Sequence, residues 1–156
     1  FDSFQGLPDK ADKADEHPEW GKGVFAFPRE HTLKRVAATG FPVENVTLIE
    51  GYFDKTLNEE TRRMLEKTPP SIVTIDVDYY SSTRQALEFL VPFMPSGTVI
   101  YFDDLLSFHL HPQMGQVKAI NEFNGKLGWL SPLREYDYGG RTYMFARLEW
   151  EHSTPA

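Results

Sequence analysis

Two acidic clusters in this 156-residue chain stand at the ends of two strand-like runs. Ser71-Ile72-Val73-Thr74-Ile75 ends in Asp76-Val77-Asp78, and Thr98-Val99-Ile100-Tyr101-Phe102 ends in Asp103-Asp104. Asp76 and Asp103 are 27 positions apart (103 − 76) with one helix-length segment between them, about one βα repeat. In an open parallel sheet, consecutive repeats bring the carboxyl ends of neighbouring strands to one edge, where ligands bind. Acidic oxygens converging there suit a hard divalent cation such as Mg²⁺. Asp76, Asp103 and Asp104 are therefore expected within reach of one ion. Asp78 could support that set or cap the helix near Ser81. Without a cation, crowded carboxylates raise one another's pKa, and such an acid can also serve as a base. The plainer reading is that Asp favours strand ends and helix caps.

Other chemistry has less support. An acidic residue just past a strand, as Asp2 is, commonly accepts hydrogen bonds from ribose hydroxyls in a nucleotide-binding sheet. His109 and His111 follow the second acidic pair, where either imidazole could act as a base or shape a pocket; an exposed loop is the plainer reading. Neither a GxSxG elbow nor a P-loop occurs. Zero cysteines exclude a disulfide framework, a thiolate nucleophile and Cys-ligated zinc.

The positioning elements follow from pattern. Residues 5–23 carry Gly6, Pro8, Pro18, Gly21 and Gly23 among Asp, Lys and Glu, as in a charged loop or a lid. Pro28 suits the start of a helix with Leu33, Val36 and Ala37 on one stripe and Gly40 as its stop. Residues 46–49 read as a strand closed by Glu50-Gly51. Thr56 with Glu59 has capping-box spacing and opens a helix that Pro69-Pro70 stops. The 71–75 run is near-continuously apolar, as expected of a strand covered on both faces. Ser82 with Gln85 repeats the capping spacing before Leu87, Leu90, Val91 and Met94. A helix with Val117, Ile120 and Phe123 follows Pro112. Residues 130–138 and 141–148 then form two strands joined at Gly139-Gly140. This order predicts one α/β domain over 1–156, three-layered, its sheet mainly parallel with a terminal antiparallel hairpin.

Composition bounds the partners. With 40% hydrophobic and 25% charged residues, the chain can bury a sizeable core. A net charge of −7 argues against nucleic acid or an anionic membrane as partner. No signal-peptide pattern occurs, so a cytoplasmic location is the expectation. The opening Phe1-Asp2-Ser3-Phe4 reads like the tail of a buried strand, and hence like the back portion of a longer fold.

Four blocks together resemble, in order and spacing, the macrocin O-methyltransferase family. They are Phe1-Asp2-Ser3-Phe4-Gln5-Gly6-Leu7-Pro8, Glu50-Gly51-Tyr52-Phe53-Asp54-Lys55-Thr56-Leu57, Ile75-Asp76-Val77-Asp78-Tyr79-Tyr80-Ser81-Ser82-Thr83 and Phe102-Asp103-Asp104. The resemblance implies a Rossmann-like methyltransferase sheet and an enzyme using S-adenosylmethionine and Mg²⁺ to methylate a hydroxyl of a small molecule, often a sugar. It implies that Asp2 holds the cofactor ribose, with Ser3 and Glu50, Gly51, Tyr52 and Phe53 on the adenosine side. It implies that Asp76 is a metal ligand and the general base, and that Asp103 and Asp104 complete the ligand set. The family's first strand and Gly-rich turn would precede Phe1, so an N-terminally truncated domain is expected, with closure of the remaining strands or a homodimer covering the open edge at 46–49 or 71–75. Two other readings stand beside this one: a catalytically silent methyltransferase-like domain that self-associates, and a metal-dependent glycosyltransferase using Asp76-Val77-Asp78 as a DxD.

Overall fold

The computed structural model describes residues 1–135 and 140–147. Its sheet has four strands: β1 (Ile72–Ile75), β2 (Val99–Phe102), β3 (Trp129–Glu135) and β4 (Arg141–Ala146), in spatial order β1-β2-β4-β3. β1 and β2 are parallel, with Ile72 opposite Val99 and Ile75 opposite Phe102. β4 runs antiparallel to both β2 and β3. The strands of the terminal hairpin lie where expected, although Gly139 and the far ends of both expected runs fall outside the described residues.

Register explains the core. Val73 and Ile75, Ile100 and Phe102, Tyr143 and Phe145, and Leu130 share one face of the sheet. Against it pack α4 (Tyr80–Leu90) and α5 (Gly115–Phe123), which bring Leu87, Ala119, Ile120 and Phe123 into the same cluster. The opposite face stays open: Ile72 is 73% exposed, Trp129 51% and Leu133 52%. The mixed α/β class holds, but the expected covering of β1 on both faces does not. Nor is the described sheet mainly parallel, because one of its three strand pairs is parallel and two are antiparallel.

The reason lies at 46–49, which forms no strand. One isolated parallel bridge joins Asp2 to Glu50, with Asp2 N–H donating to the Ile49 carbonyl (3.2 Å) and Gly51 N–H to the Asp2 carbonyl (3.0 Å). This small ladder does not join the sheet, so β1 is an edge strand and direct closure has not occurred. α1 (Arg29–Ala38) starts after Pro28 and stops before Gly40 as expected, yet buries none of its residues.

Two helix starts differ from the sequence pattern. Thr56 ends the short α2 (Phe53–Thr56), and Asn58 caps α3 (Glu59–Leu65) by accepting from Thr61 N–H at 3.0 Å. α4 begins at Tyr80, before the Ser82 expected to open it, and its first-turn donor Ser81 N–H is met from far away by the Asp15 carboxylate at 2.9 Å. That second carboxylate oxygen accepts Ala11 N–H and Asp12 N–H (3.1 and 3.0 Å), and Asp15 is fully buried. A buried ionisable side chain must have its acceptors filled. Here three backbone donors do so, and they strap the 5–23 segment onto the head of α4.

Candidate active site

The parallel pairing of β1 and β2 sets Asp76 and Asp103 side by side, each one residue past the last paired positions Ile75 and Phe102. Asp103 N–H donates to the Ile75 carbonyl at 3.3 Å, so the strands separate only beyond the acids. Asp78 N–H donates to Asp104 Oδ2 at 3.2 Å and stitches the two clusters together. Asp78 occupies the left-handed region (φ 58°), and Tyr79 N–H closes onto the Val77 carbonyl at 2.5 Å. That is a tight three-residue turn of the rare, strained kind. Strain of this sort collects at functional sites.

A buried glutamine holds the frame. Gln116, 1% exposed at the start of α5, donates from Nε2 to the Ile75 carbonyl (3.0 Å) and accepts Asp104 N–H at Oε1 (2.9 Å). One side chain thus fixes the end of β1 relative to the turn after β2. No sequence reading found Gln116 or Asp15. An inward polar residue on an otherwise apolar helix stripe was the available signal for Gln116; for Asp15, its capping box with Asp12 marked a turn but not its burial.

The electrostatics are those of a crowded acidic edge. Partial burial, then Asp103 and Asp2, pushes the Asp76 carboxyl upward, although its surface is solvent-exposed. Asp78 is pushed up to about 7 by burial, then by Asp104, Asp76 and Asp103. Asp104 rises to about 6, from burial and then Asp76 and Asp103, with the Asp78 and Ser107 hydrogen bonds opposing. Tyr101 donates to Asp103 Oδ1 at 2.5 Å and is itself pushed up to about 12, chiefly by that bond. The donor chemistry suits a hard cation. The grouping is looser than expected: among the described residues no three His, Cys, Asp or Glu side chains form a set that could hold a metal ion. Protein donors also engage part of this edge, Tyr101 on Asp103 and Asp78 N–H and Ser107 on Asp104.

Asp76 and Asp78 also line a cleft of about 500 Å³. Asp2, Ser3, Gly51, Tyr52 and Phe53 line it too. Asp2 Oδ1 accepts Phe4 N–H at 2.6 Å, which leaves Oδ2 for a ligand. Gly51 has φ 136°, and a Cβ there would meet Thr56 Cγ2 at 3.1 Å, so only glycine fits comfortably where the backbone passes the cleft. Glu50 does not line the cleft; it pairs with Arg29 at 3.5 Å. His109 and His111 sit on an exposed loop and do not line it either. A smaller groove of about 290 Å³ between α4 and α5 shares no residue with the acidic edge.

Acids at the carboxyl ends of adjacent parallel strands, beside a cleft of small-molecule size, stand where open α/β sheets bind their ligands. Two solved structures share the fold. The calicheamicin methyltransferase CalS11 superposes with a TM-score of 0.65 at 25% identity, over 94% of this chain and 58% of that one. The O-methyltransferase NovP gives 0.66 at 23%, over 93% and 58%. An 8-demethyl-8-(2,3-dimethoxy-alpha-L-rhamnosyl)-tetracenomycin-C 4'-O-methyltransferase of Streptomyces olivaceus is 28% identical over 162 residues, 97% of this chain. The chain spans about half of that relative's length, 53%. The macrocin-O-methyltransferase family model matches residues 1–144. The chain belongs to the macrocin-O-methyltransferase family, and the DxD glycosyltransferase reading gives way to it.

Proposed function

We propose that this chain forms the cofactor and acceptor site of an S-adenosylmethionine-dependent O-methyltransferase that acts on a hydroxyl of a glycosylated small molecule. The observation that carries the reading is the single cleft joining Asp2 and Gly51–Phe53 to Asp76, in a chain of this family. S-adenosylmethionine, when bound, supplies an electrophilic methyl on a sulfonium centre. In this reading Asp2 Oδ2 accepts the ribose hydroxyls, and the Gly51 backbone allows close approach of the adenosine. Asp76, its pKa raised by burial and by Asp103, takes the proton of the acceptor hydroxyl as the new O–CH₃ bond forms, and the departing thioether is neutral. A base with a raised pKa is the better matched to a weakly acidic alcohol. Asp76, Asp103 and Asp104 would be the carboxylates to receive Mg²⁺, which would acidify and orient the acceptor hydroxyl. The site as described must first release protein donors to do so, and no step above depends on it.

Calorimetric titration of S-adenosylmethionine, with and without Mg²⁺, tests the reading. Measurable but weak binding is expected, and Asp76→Asn should abolish methyl transfer to a rhamnosylated acceptor while sparing cofactor affinity. Absence of cofactor binding in the intact chain overturns it. A second reading, a self-associating domain without turnover, is favoured by one observation, the open edge of β1 with Ile72 73% exposed. Unpaired strand edges seek partners. Sedimentation of the chain as a concentration-dependent dimer, combined with no cofactor binding, would select it.

A further inference from the structure

One lip of the cleft is built at odds with folding economy. Phe25 has φ 64°, a conformation that bulky side chains rarely adopt, and its ring is 63% exposed. Strain and exposure of a large aromatic each cost stability, and the ring recovers little in the fold. Its ring contact is Trp20, edge-on at 6.2 Å. Trp20 is well supported: it stacks on His17 at 4.1 Å and meets Phe108 edge-on at 5.3 Å. Phe25 is thus propped on a braced indole with its remaining surface turned outward. Phe25 lines the cleft, as do Lys22 and Asp9, an exposed ion pair at 2.6 Å. An exposed pair of this kind contributes little to stability.

An aromatic ring and an ion pair that line one cleft match one ligand chemistry well. A pyranose presents a patch of C–H bonds that packs on an aromatic ring, and a rim of hydroxyls that both donate and accept. We propose that Phe25, Lys22 and Asp9 form a subsite for the pyranose ring of the acceptor, with Phe25 under its apolar face and the ion pair on its hydroxyls. The inference rests on the proposed function for the sugar's role as acceptor, but the binding itself can be read without turnover. Local rules broken without structural return are expected where a site is built.

The test uses methyl α-L-rhamnopyranoside as probe and the full chain, by saturation-transfer NMR, alongside calorimetry with S-adenosylmethionine. Phe25→Gly should weaken the sugar about fivefold or more, in line with the worth of an aromatic contact, and leave cofactor affinity unchanged. Because glycine is unstrained at this φ, the same variant should melt at the wild-type temperature or higher. Lys22→Gln should weaken the sugar without moving the melting temperature. Loss of cofactor affinity with sugar binding intact would assign the ring to the adenine and overturn the proposal. So would a marked fall in melting temperature for Phe25→Gly, which would make the ring structural, or wild-type chain that does not bind the sugar. If the chain binds the rhamnoside as described but not S-adenosylmethionine, the functional reading fails and the subsite stands.

Discussion

Two regions of this molecule obey different physics. From β1 through β4 the chain buries Leu87, Ile100, Phe102 and Phe145 almost completely in one cluster. From Glu16 to Lys55 no residue is buried, although the stretch holds Phe25, Phe27, Leu33, Phe41 and Ile49. Both regions line the same cleft. The acidic edge therefore rests on a packed sheet, while the proposed ribose and acceptor contacts come from chain held by few connections. Of these the strongest is Asp15, which ties the loop to α4 in the interior. Local stability is set by buried contacts and protected hydrogen bonds, so the two halves of one site should respond differently to the same perturbation.

The largest effect is expected where the two regions are joined. Asp15→Ala strands three backbone N–H groups and removes the acceptor for the first turn of α4. Ser81 N–H is buried, whereas the Ala11 and Asp12 donors are partly open to water; an unpaired buried donor costs roughly 1–3 kcal/mol and a wetted one less, so a loss of about 3 kcal/mol in urea unfolding is expected. Cofactor affinity should fall with it, because Ser81 and Ser82 line the cleft at that helix start. A loss below about 1 kcal/mol would mean that the loop and the packed sheet are independent, and the contrast drawn above would need a different joint.

Much of the packed region was legible in the sequence, and the loose one was not, for a physical reason. Periodicity reports burial. Leu87 and Leu90 mark α4, and the alternation of Tyr143 and Phe145 marks β4, because each packs on a described partner. The 46–49 run has the same β-branched and apolar character, yet a strand is defined by its neighbour, and among the described residues the pairing here is the single bridge at Glu50. Likewise the stripe of α1 is present, yet none of its residues is buried. The acidic edge was legible as a spacing, since the parallel register of β1 and β2 follows from one βα repeat. Its looseness was not, because the competing donors Tyr101, Ser107 and Asp78 N–H depend on rotamers and turn geometry.

A smaller effect of opposite sign is expected at the acidic edge. Asp78 and Asp104 have folded pKa values near 7 and 6, above the roughly 3.9 of an unfolded Asp. The fold therefore binds their protons more tightly than the unfolded chain does. Their favourable contribution is fully present below about pH 4 and is lost as pH rises through 6 and 7. Asp78→Asn has no charge to lose and tolerates a positive φ. It should gain about 1–2 kcal/mol at pH 8 and almost nothing at pH 4, discounting the coupled shift heavily for relaxation. Mg²⁺ should raise the wild-type melting temperature at pH 8 if a cation relieves the same repulsion. A variant less stable than wild type at pH 8 would make Asp78 a structural partner and return the edge to ordinary capping.

The smallest effect is the most direct measure of how far apart the two regions are. Leu33 on α1 and Leu87 on α4 are the same residue type on helices of 10 and 11 residues. Leu87 is 1% exposed in the core, and its truncation to Ala should cost about 3 kcal/mol, transfer and cavity together. Leu33 packs only partly and leaves no enclosed void when shortened, so Leu33→Ala should cost under about 0.5 kcal/mol, part of it offset by the higher helix propensity of Ala. Amide exchange would read the same difference without mutation, with α1 exchanging through local opening far faster than α4. If S-adenosylmethionine docks in the cleft, its addition should slow exchange at Gly51–Phe53 while leaving the core-facing end of α4 unchanged. If Leu33→Ala instead costs as much as Leu87→Ala, α1 is covered in solution, and a second chain seated on it becomes the explanation to pursue by sedimentation.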